Sequence, residues 1–266
     1  MTPVRRDQLV VTAAAVLWVV GTLIGTGLVG AGGVEEQGDG LFSDAATLIA
    51  PDGPAFSIWS VIYLFLAGYV VWQWLPGARD SVWADRTRLP AAASLALNGL
   101  WLLVVFAGWV FVSVLVIAAI AASLGVILRR TADLPDEGWV PRVLVSVTFG
   151  LYLGWISVAT CANVALWLVG LGVPAEGPLA TAVTVVVLGV VLALVVLLLR
   201  RADRVLGTAL VAAVTWGVAW VAVGRLSGEP TSDVVGYAAV ATAVLVVAAW
   251  GAVVVAARSP GHRVVR

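Results

Sequence analysis

Residues 179–199 read LATAVTVVVLGVVLALVVLLL, a stretch without a single charged side chain. About 20 mostly apolar residues in a row are enough for a helix to cross the hydrocarbon core of a bilayer. The run is continuous and lacks the alternation of polar and apolar residues that is typical of a membrane β-strand. The stretch therefore predicts a transmembrane helix, and the rest of the chain repeats its pattern.

Further segments of this kind follow one another almost from end to end of the 266-residue chain. Of all residues, 62% are hydrophobic and 11% are charged, whereas a soluble domain carries about 25% charged residues. We therefore expect an all-α, polytopic membrane helix bundle. Its eight predicted spans are Gln8–Gly30, Phe56–Leu75, Leu89–Gly108, Trp109–Leu128, Val143–Val169, Leu179–Leu199, Val205–Val223 and Val234–Ala257.

The distribution of arginine predicts how these spans are oriented. Short loops rich in Arg stay on the cytoplasmic side of the membrane. Arginines precede the first span and occupy every second loop, among them Arg88 before the third span, whereas the other loops are acidic with Arg225 as their one basic residue. Both termini are therefore expected in the cytoplasm of a multi-pass protein in a bacterial-type cytoplasmic membrane. The basic loops are topology signals, and no nucleic acid is expected as a partner.

Few side chains can support metal binding or covalent catalysis. The sole histidine, His262, lies in the tail, and the sole cysteine, Cys161, lies in the middle of a predicted helix. Neither a metal cluster nor a nucleophile–base pair can be assembled from them. We therefore expect no catalytic residue, no metal site and no required cofactor, and binding is favoured over an enzymatic function. A chain without lysine also cannot form a retinal Schiff base.

Aromatic and amide side chains recur at helical spacing inside three of the apolar spans. The stripes comprise Phe56, Trp59 and Tyr63 in the second span, Asn98 and Trp101 in the third, and Tyr152, Trp155, Ala159 and Asn163 in the fifth. Residues three or four apart share one face of a helix, and a buried amide within a bilayer must find hydrogen-bond partners. Two interpretations stay open: the amides bond to neighbouring helices, or the stripes line a ligand cavity.

The three stripes resemble the hallmark segments of the TspO/translocator protein family, the tryptophan-rich sensory proteins. The resembling motifs are Pro54-Ala-Phe56-x-x-Trp59-x-x-x-Tyr63, Leu97-Asn98-x-x-Trp101 and Tyr152-x-x-Trp155-x-x-x-Ala159-x-x-x-Asn163. They occur in the family's order, and the third matches best. The resemblance covers about the first 170 residues. It predicts a five-helix ligand-binding bundle at 1–170, followed by a three-helix membrane extension at 171–266.

The resemblance implies an internal cavity that the stripe residues line or support. It also implies a ligand that is a tetrapyrrole such as porphyrin or haem, or a similar apolar aromatic or sterol-like molecule. We therefore expect a membrane sensor or receptor whose partners are a small apolar or tetrapyrrole ligand and the lipid bilayer. The family's first loop usually carries tryptophan close to the ligand, but Ala31–Ala55 contains none. This difference argues against degradation of the ligand and favours binding.

A secondary transporter or uniporter of a small apolar solute is the alternative, because eight helices with polar stripes can also form a transport path. Ion-coupled carriers commonly use an intramembrane Asp or Glu, and the predicted spans contain neither.

Two further questions stay open. The motif Gly21-x-x-x-Gly25 can pack helices within one chain or between the copies of a homodimer. The long loop Ala31–Ala55 is either a lid or a solvated spacer.

Overall fold

The computed structural model describes residues 2–25 and 43–256. Within these ranges the regular secondary structure is helical, and no strand occurs. Eight of the described helices are long and apolar enough to cross a membrane, which confirms the predicted all-α membrane fold. They are α1 (Pro3–Gly25), α2 (Ile58–Trp72), α3 (Val82–Phe106), α4 (Val110–Thr131), α5 (Trp139–Gly170), α6 (Pro178–Leu199), α7 (Arg204–Ser227) and α8 (Asp233–Ala256).

The start of α3 differs from its prediction. The helix begins at Val82 rather than at Leu89, because the Ser81 side chain accepts a hydrogen bond from the Ala84 amide at 3.2 Å. Such a cap satisfies one of the first-turn N–H groups that have no partner inside the helix. As a consequence Arg88, predicted in a basic loop, lies within α3 and is fully buried.

Other helix ends shift by a few residues. The first helix begins at Pro3 rather than at Gln8, and the predicted end at Gly30 falls outside the described residues. The seventh helix continues to Ser227, so that Arg225 lies inside the helix rather than in a loop. The fifth helix contains a π-helical segment, Arg142–Val147, a local widening that often occurs near functional sites.

The turn between α3 and α4 is as tight as the sequence predicts. Only a few residues separate Phe106 from Val110. Gly108 takes a φ of 73°, a left-handed conformation that is strained for residues with a Cβ. The Trp109 amide donates to the Val104 oxygen at 3.1 Å and closes the turn. The two helices therefore lie side by side as antiparallel neighbours.

The helices pack as a chain of neighbours. Helix α3 packs against α1 and α4, α4 against α5, and α5 against α7, while α8 packs against α7 and α6. Eight membrane crossings would put the start of α1 and the end of α8 on the same side of the membrane. That this side is the cytoplasm stays a prediction from the arginine pattern.

Small residues bring α1 and α3 into backbone contact. A Cβ added at Gly21 would collide with the backbone of Gly99, and one at Gly99 would collide with the backbone of Leu17 and Trp18. Membrane helices gain much of their packing energy by such close approach. The Gly21-x-x-x-Gly25 motif therefore packs helices within one chain, whereas a homodimer stays a prediction.

A second glycine pair performs the same role between α5 and α7. Gly150 and Gly154 lie one turn apart on α5, and a Cβ at either would collide with the backbone oxygen of Leu206 or Leu210. The Gly150-x-x-x-Gly154 spacing is visible in the sequence, although its partner helix is not. Through this contact α7, one of the C-terminal helices, packs directly against α5, the helix that carries the best-matching stripe.

Candidate ligand-binding cavity

A small cavity lies between the start of α2 and helices α3, α4 and α5. Its lining residues are Phe56, Trp59, Asn98, Trp101, Ile117, Ile120, Trp155, Ile156 and Ala159. Apart from the isoleucines, each of these belongs to one of the predicted stripes. The fold thus brings side chains from three separate stripes to one place, and that they bind a ligand stays a prediction.

Edge-to-face aromatic contacts join the start of α2 to α5. The Trp59 and Trp155 ring centroids are 6.1 Å apart, and those of Phe56 and Trp155 are 5.6 Å apart, both with an interplanar angle of 80°. Aromatic pairs in this geometry contribute about 0.5–1.5 kcal/mol each. The remaining cavity has a volume of about 20 Å³, which is room for roughly one water molecule.

The two walls of the cavity differ in how firmly they are embedded. Trp155, on α5, is 1% exposed. Phe56 and Trp59, on the segment that enters α2, are only partly buried. Because Trp155 is the more deeply buried, we expect the α5 wall to stay fixed and the α2 wall to rearrange.

The amide side chains join neighbouring helices. The Tyr63 hydroxyl donates to Asn98 Oδ1 at 3.1 Å, linking α2 to α3. The Trp101 indole donates to Asn163 Oδ1 at 3.0 Å, and Asn163 Nδ2 donates to Ser113 Oγ at 2.8 Å, linking α3, α5 and α4. Asn98 both bonds to a neighbouring helix and lines the cavity, whereas Tyr63 and Asn163 support the lining residues from behind.

Tyr152 also stands behind the cavity rather than at its surface. The side chain is fully buried, and its ring centroid lies 5.8 Å from that of Trp59. Its hydroxyl donates to the main-chain oxygen of Ser94 on α3 at 3.4 Å. Tyr152 therefore connects α5 to α3 and supports Trp59.

Two tryptophans at the cavity differ in their hydrogen bonding. The Trp101 N–H has its partner in Asn163, whereas the Trp155 Nε1 is buried without a hydrogen-bond partner. An indole nitrogen can only donate, and a buried donor without an acceptor costs about 1–3 kcal/mol. A ligand acceptor that reached Trp155 Nε1 would satisfy this donor.

The lining side chains are aromatic, aliphatic or amide, and none of them is ionisable. Among the described residues, no group of three or more His, Cys, Asp or Glu side chains could hold a metal ion. Cys161 is half-buried, and its thiol donates to the Ser157 oxygen within the same helix at 3.4 Å. The chemistry that these residues offer is stacking, apolar contact and a hydrogen bond.

Part of the long first loop packs into the protein. Residues 31–42 of the predicted loop Ala31–Ala55 lie outside the described residues. In the remainder, Leu48 and Ile49 are 3% and 2% exposed and belong to the core. The described part is therefore a packed segment rather than a solvated spacer.

Sequence reasoning missed the contribution of α4. Ile117 and Ile120 line the cavity, and Ser113 completes the hydrogen bonds of Asn163. Because α4 is apolar nearly all round, its periodicity does not distinguish the cavity face from the lipid face. Ser113, a polar residue in such a helix, was an available signal.

Comparison with known proteins extends the resemblance along the chain. The sequence model of one family, described as TSPO-like protein, matches residues 11–252. The match continues well past residue 170 into α8, so it does not decide whether 1–170 and 171–266 are separate domains, and that division stays a prediction. No curated protein and no solved structure matches the chain.

Proposed function

Since the chain belongs to the TSPO-like protein family, we propose that it is a membrane sensor or binding protein for a flat, apolar aromatic ligand of the tetrapyrrole type. The observation that carries the proposal is the convergence of Phe56, Trp59, Trp101 and Trp155 on one cavity. Aromatic rings favour offset or edge contacts with another flat π-system. Ala159 is the small residue among them and leaves the space where a ligand ring would begin to enter.

Binding requires the cavity to open. Its volume of about 20 Å³ is far below the roughly 300–1,000 Å³ that is typical of small-molecule sites. The partly buried Phe56 and Trp59 would move aside while Trp155 keeps its place. The edge contacts that are lost cost about 0.5–1.5 kcal/mol each and would be offset by equivalent contacts with the ligand.

The polarity of the cavity also constrains the ligand. Trp155 Nε1 would donate to an acceptor at the edge of the ligand ring system. A bare carboxylate would be costly to bury against apolar and amide side chains that offer no countercharge. A tetrapyrrole would therefore lie with its macrocycle between α2 and α5 and its carboxylates towards the solvent.

The proposal is tested by titrating protoporphyrin IX into the full chain in lipid nanodiscs and following tryptophan fluorescence. Ala159→Phe fills the cavity from within and should weaken saturable binding by 10-fold or more. Ala118→Phe is the matched control, because Ala118 is exposed on the outer face of α4 beside the cavity-lining Ile117. Equal binding by the wild type and both variants would contradict the assigned cavity.

Transport is separated from binding by the same variants. If the protein only binds its ligand, proteoliposomes that contain it should release entrapped porphyrin no faster than protein-free vesicles do. Release that depends on the wild-type protein and stops in Ala159→Phe would replace the binding function with uniport through the same cavity.

A further inference from the structure

The 43–57 segment joins the long first loop to α2 and determines where the α2 wall of the cavity stands. It ends in a short 3₁₀-helix, Gly53–Ser57, that contains Phe56. Phe56 lines the cavity and packs edge-on against Trp155. Any contact that fixes the 43–57 segment therefore also fixes the part of the wall that must move when the cavity opens.

The contacts that fix this segment come from α7, in the C-terminal part of the chain. The Trp216 indole donates to the Ala55 oxygen at 2.9 Å, directly beside Phe56. One turn further along α7, the Trp220 oxygen accepts from the Asp52 amide at 3.3 Å. Residues four apart share a helix face, so one face of α7 is joined to the backbone of the segment.

Arg225, nearer the C-terminal end of α7, contacts the same segment. Its side chain is 1% exposed, and its guanidinium donates to the main-chain oxygens of Asp44 at 3.1 Å and of Thr47 and Glu229 at 3.4 Å. A buried guanidinium must have acceptors for its donors. Because two of the acceptors are backbone oxygens of the 43–57 segment, releasing that segment would leave the charge poorly solvated.

Helix α7 also touches the fixed wall of the cavity. A Cβ added at Gly217 would lie 3.2 Å from Val158 Cγ1 and 3.4 Å from a ring carbon of Trp155. Gly217 directly follows Trp216 in the sequence. The Trp216 indole donates to the oxygen of Ala55, which precedes Phe56 of the α2 wall. A single helix thus contacts Trp155 on one side and the segment that carries Phe56 on the other.

We propose that Trp216 is a positioning residue of the ligand site and that α7 acts as a latch, holding the 43–57 segment closed over the cavity. The inference rests on the proposed function only in treating the cavity as a ligand site. A ligand reaches the cavity when the Trp216–Ala55 hydrogen bond and its neighbours release. Losing one such bond should raise the population of the released state about 2- to 12-fold.

The latch is first tested without a ligand, by hydrogen–deuterium exchange of the full chain in nanodiscs. Trp216→Phe keeps a ring and removes the donor to Ala55, so exchange in residues 43–57 should accelerate about 2- to 12-fold. Trp250→Phe is the matched control, because it removes an equivalent indole bond to α7, from Trp250 to Thr208 Oγ1 at 3.2 Å. Unchanged exchange in Trp216→Phe, or equal acceleration in both variants, would overturn the latch.

The second test measures rates of protoporphyrin IX binding by stopped-flow absorbance of the porphyrin. Trp216→Phe should raise the association rate by the factor seen in exchange and lower Kd by about the same factor, because the segment stays displaced while the ligand is bound. An unchanged association rate and Kd would contradict a latch. If the wild type shows no saturable binding, the proposed function fails, while the exchange experiment still decides whether α7 holds the segment.

Discussion

The two faces of α5 differ in how closely they pack against their neighbours. On one face Gly150 and Gly154 bring the helix into backbone contact with α7. On the other face Tyr152 and Trp155 meet aromatic rings from α2 and leave a cavity of about 20 Å³. The glycine face has no room for added volume, whereas the aromatic face adjoins a partly buried wall. A rigid interface next to an adaptable one is what a binding cavity requires, because only one wall then has to move.

The largest effect is expected on the glycine face. In Gly154→Leu the new Cβ would lie 2.9 Å from the Ala213 Cβ and would collide with the Leu210 oxygen. Overpacking of this kind costs typically 1–3 kcal/mol and occasionally more, so we expect a melting temperature well below that of the wild type and a loss of monodisperse protein. Thermal unfolding in detergent measures the change. Gly189→Leu is the control, because nothing lies within 4 Å of a Cβ at Gly189, and equal destabilisation by both variants would contradict the comparison.

A smaller and opposed pair of effects is expected at the two cavity tryptophans. Trp101→Phe leaves Asn163 Oδ1 without its donor, whereas Trp155→Phe removes a donor that has no partner. Trp101→Phe should therefore be less stable than Trp155→Phe by about 1 kcal/mol.

Ligand affinity should show the reverse order for the same two variants. Loss of the free donor in Trp155→Phe should weaken protoporphyrin IX binding several-fold more than Trp101→Phe does. Melting curves and binding titrations of the same preparations measure both quantities. If Trp101→Phe were both the less stable variant and the weaker binder, the assignment of Trp155 Nε1 to the ligand would be wrong.

The smallest effect concerns a hydrogen bond behind the cavity. Ser113→Ala removes the acceptor of Asn163 Nδ2 and should cost about 0.6 kcal/mol, the average for hydrogen bonds between membrane helices. Binding should not change, because Ser113 does not line the cavity. Ser123→Ala serves as the comparison, since Ser123 bonds only to the Ala119 oxygen of its own helix. Weakened ligand binding in Ser113→Ala would show that the site also depends on Ser113.

The sequence predicts the helices and the stripes because both depend on local pattern. A continuous apolar run specifies a span such as Pro178–Leu199 with ends correct to a residue or two, and helical spacing alone puts Trp155 and Ala159 on one face. The α3 start was wrong because charged residues near Arg88 resemble a loop, whereas the Ser81 cap starts the helix before them and Arg88 is buried within it.

Contacts between distant parts of the chain could not be predicted. No local pattern states that Trp216 holds Ala55, or that Gly150 faces Leu206, since these pairs are brought together only by the order in which the helices pack. The role of Ile117 was hidden for a different reason, because an isoleucine facing a cavity and one facing lipid look alike in an apolar helix.

A structure of the protein bound to protoporphyrin IX in nanodiscs tests the central claim most directly. We predict ligand density between Trp59 and Trp155, with Phe56 displaced and the Gly154 contact with α7 unchanged. A closed cavity with the porphyrin bound on the outer, lipid-facing surface of the bundle would contradict the account.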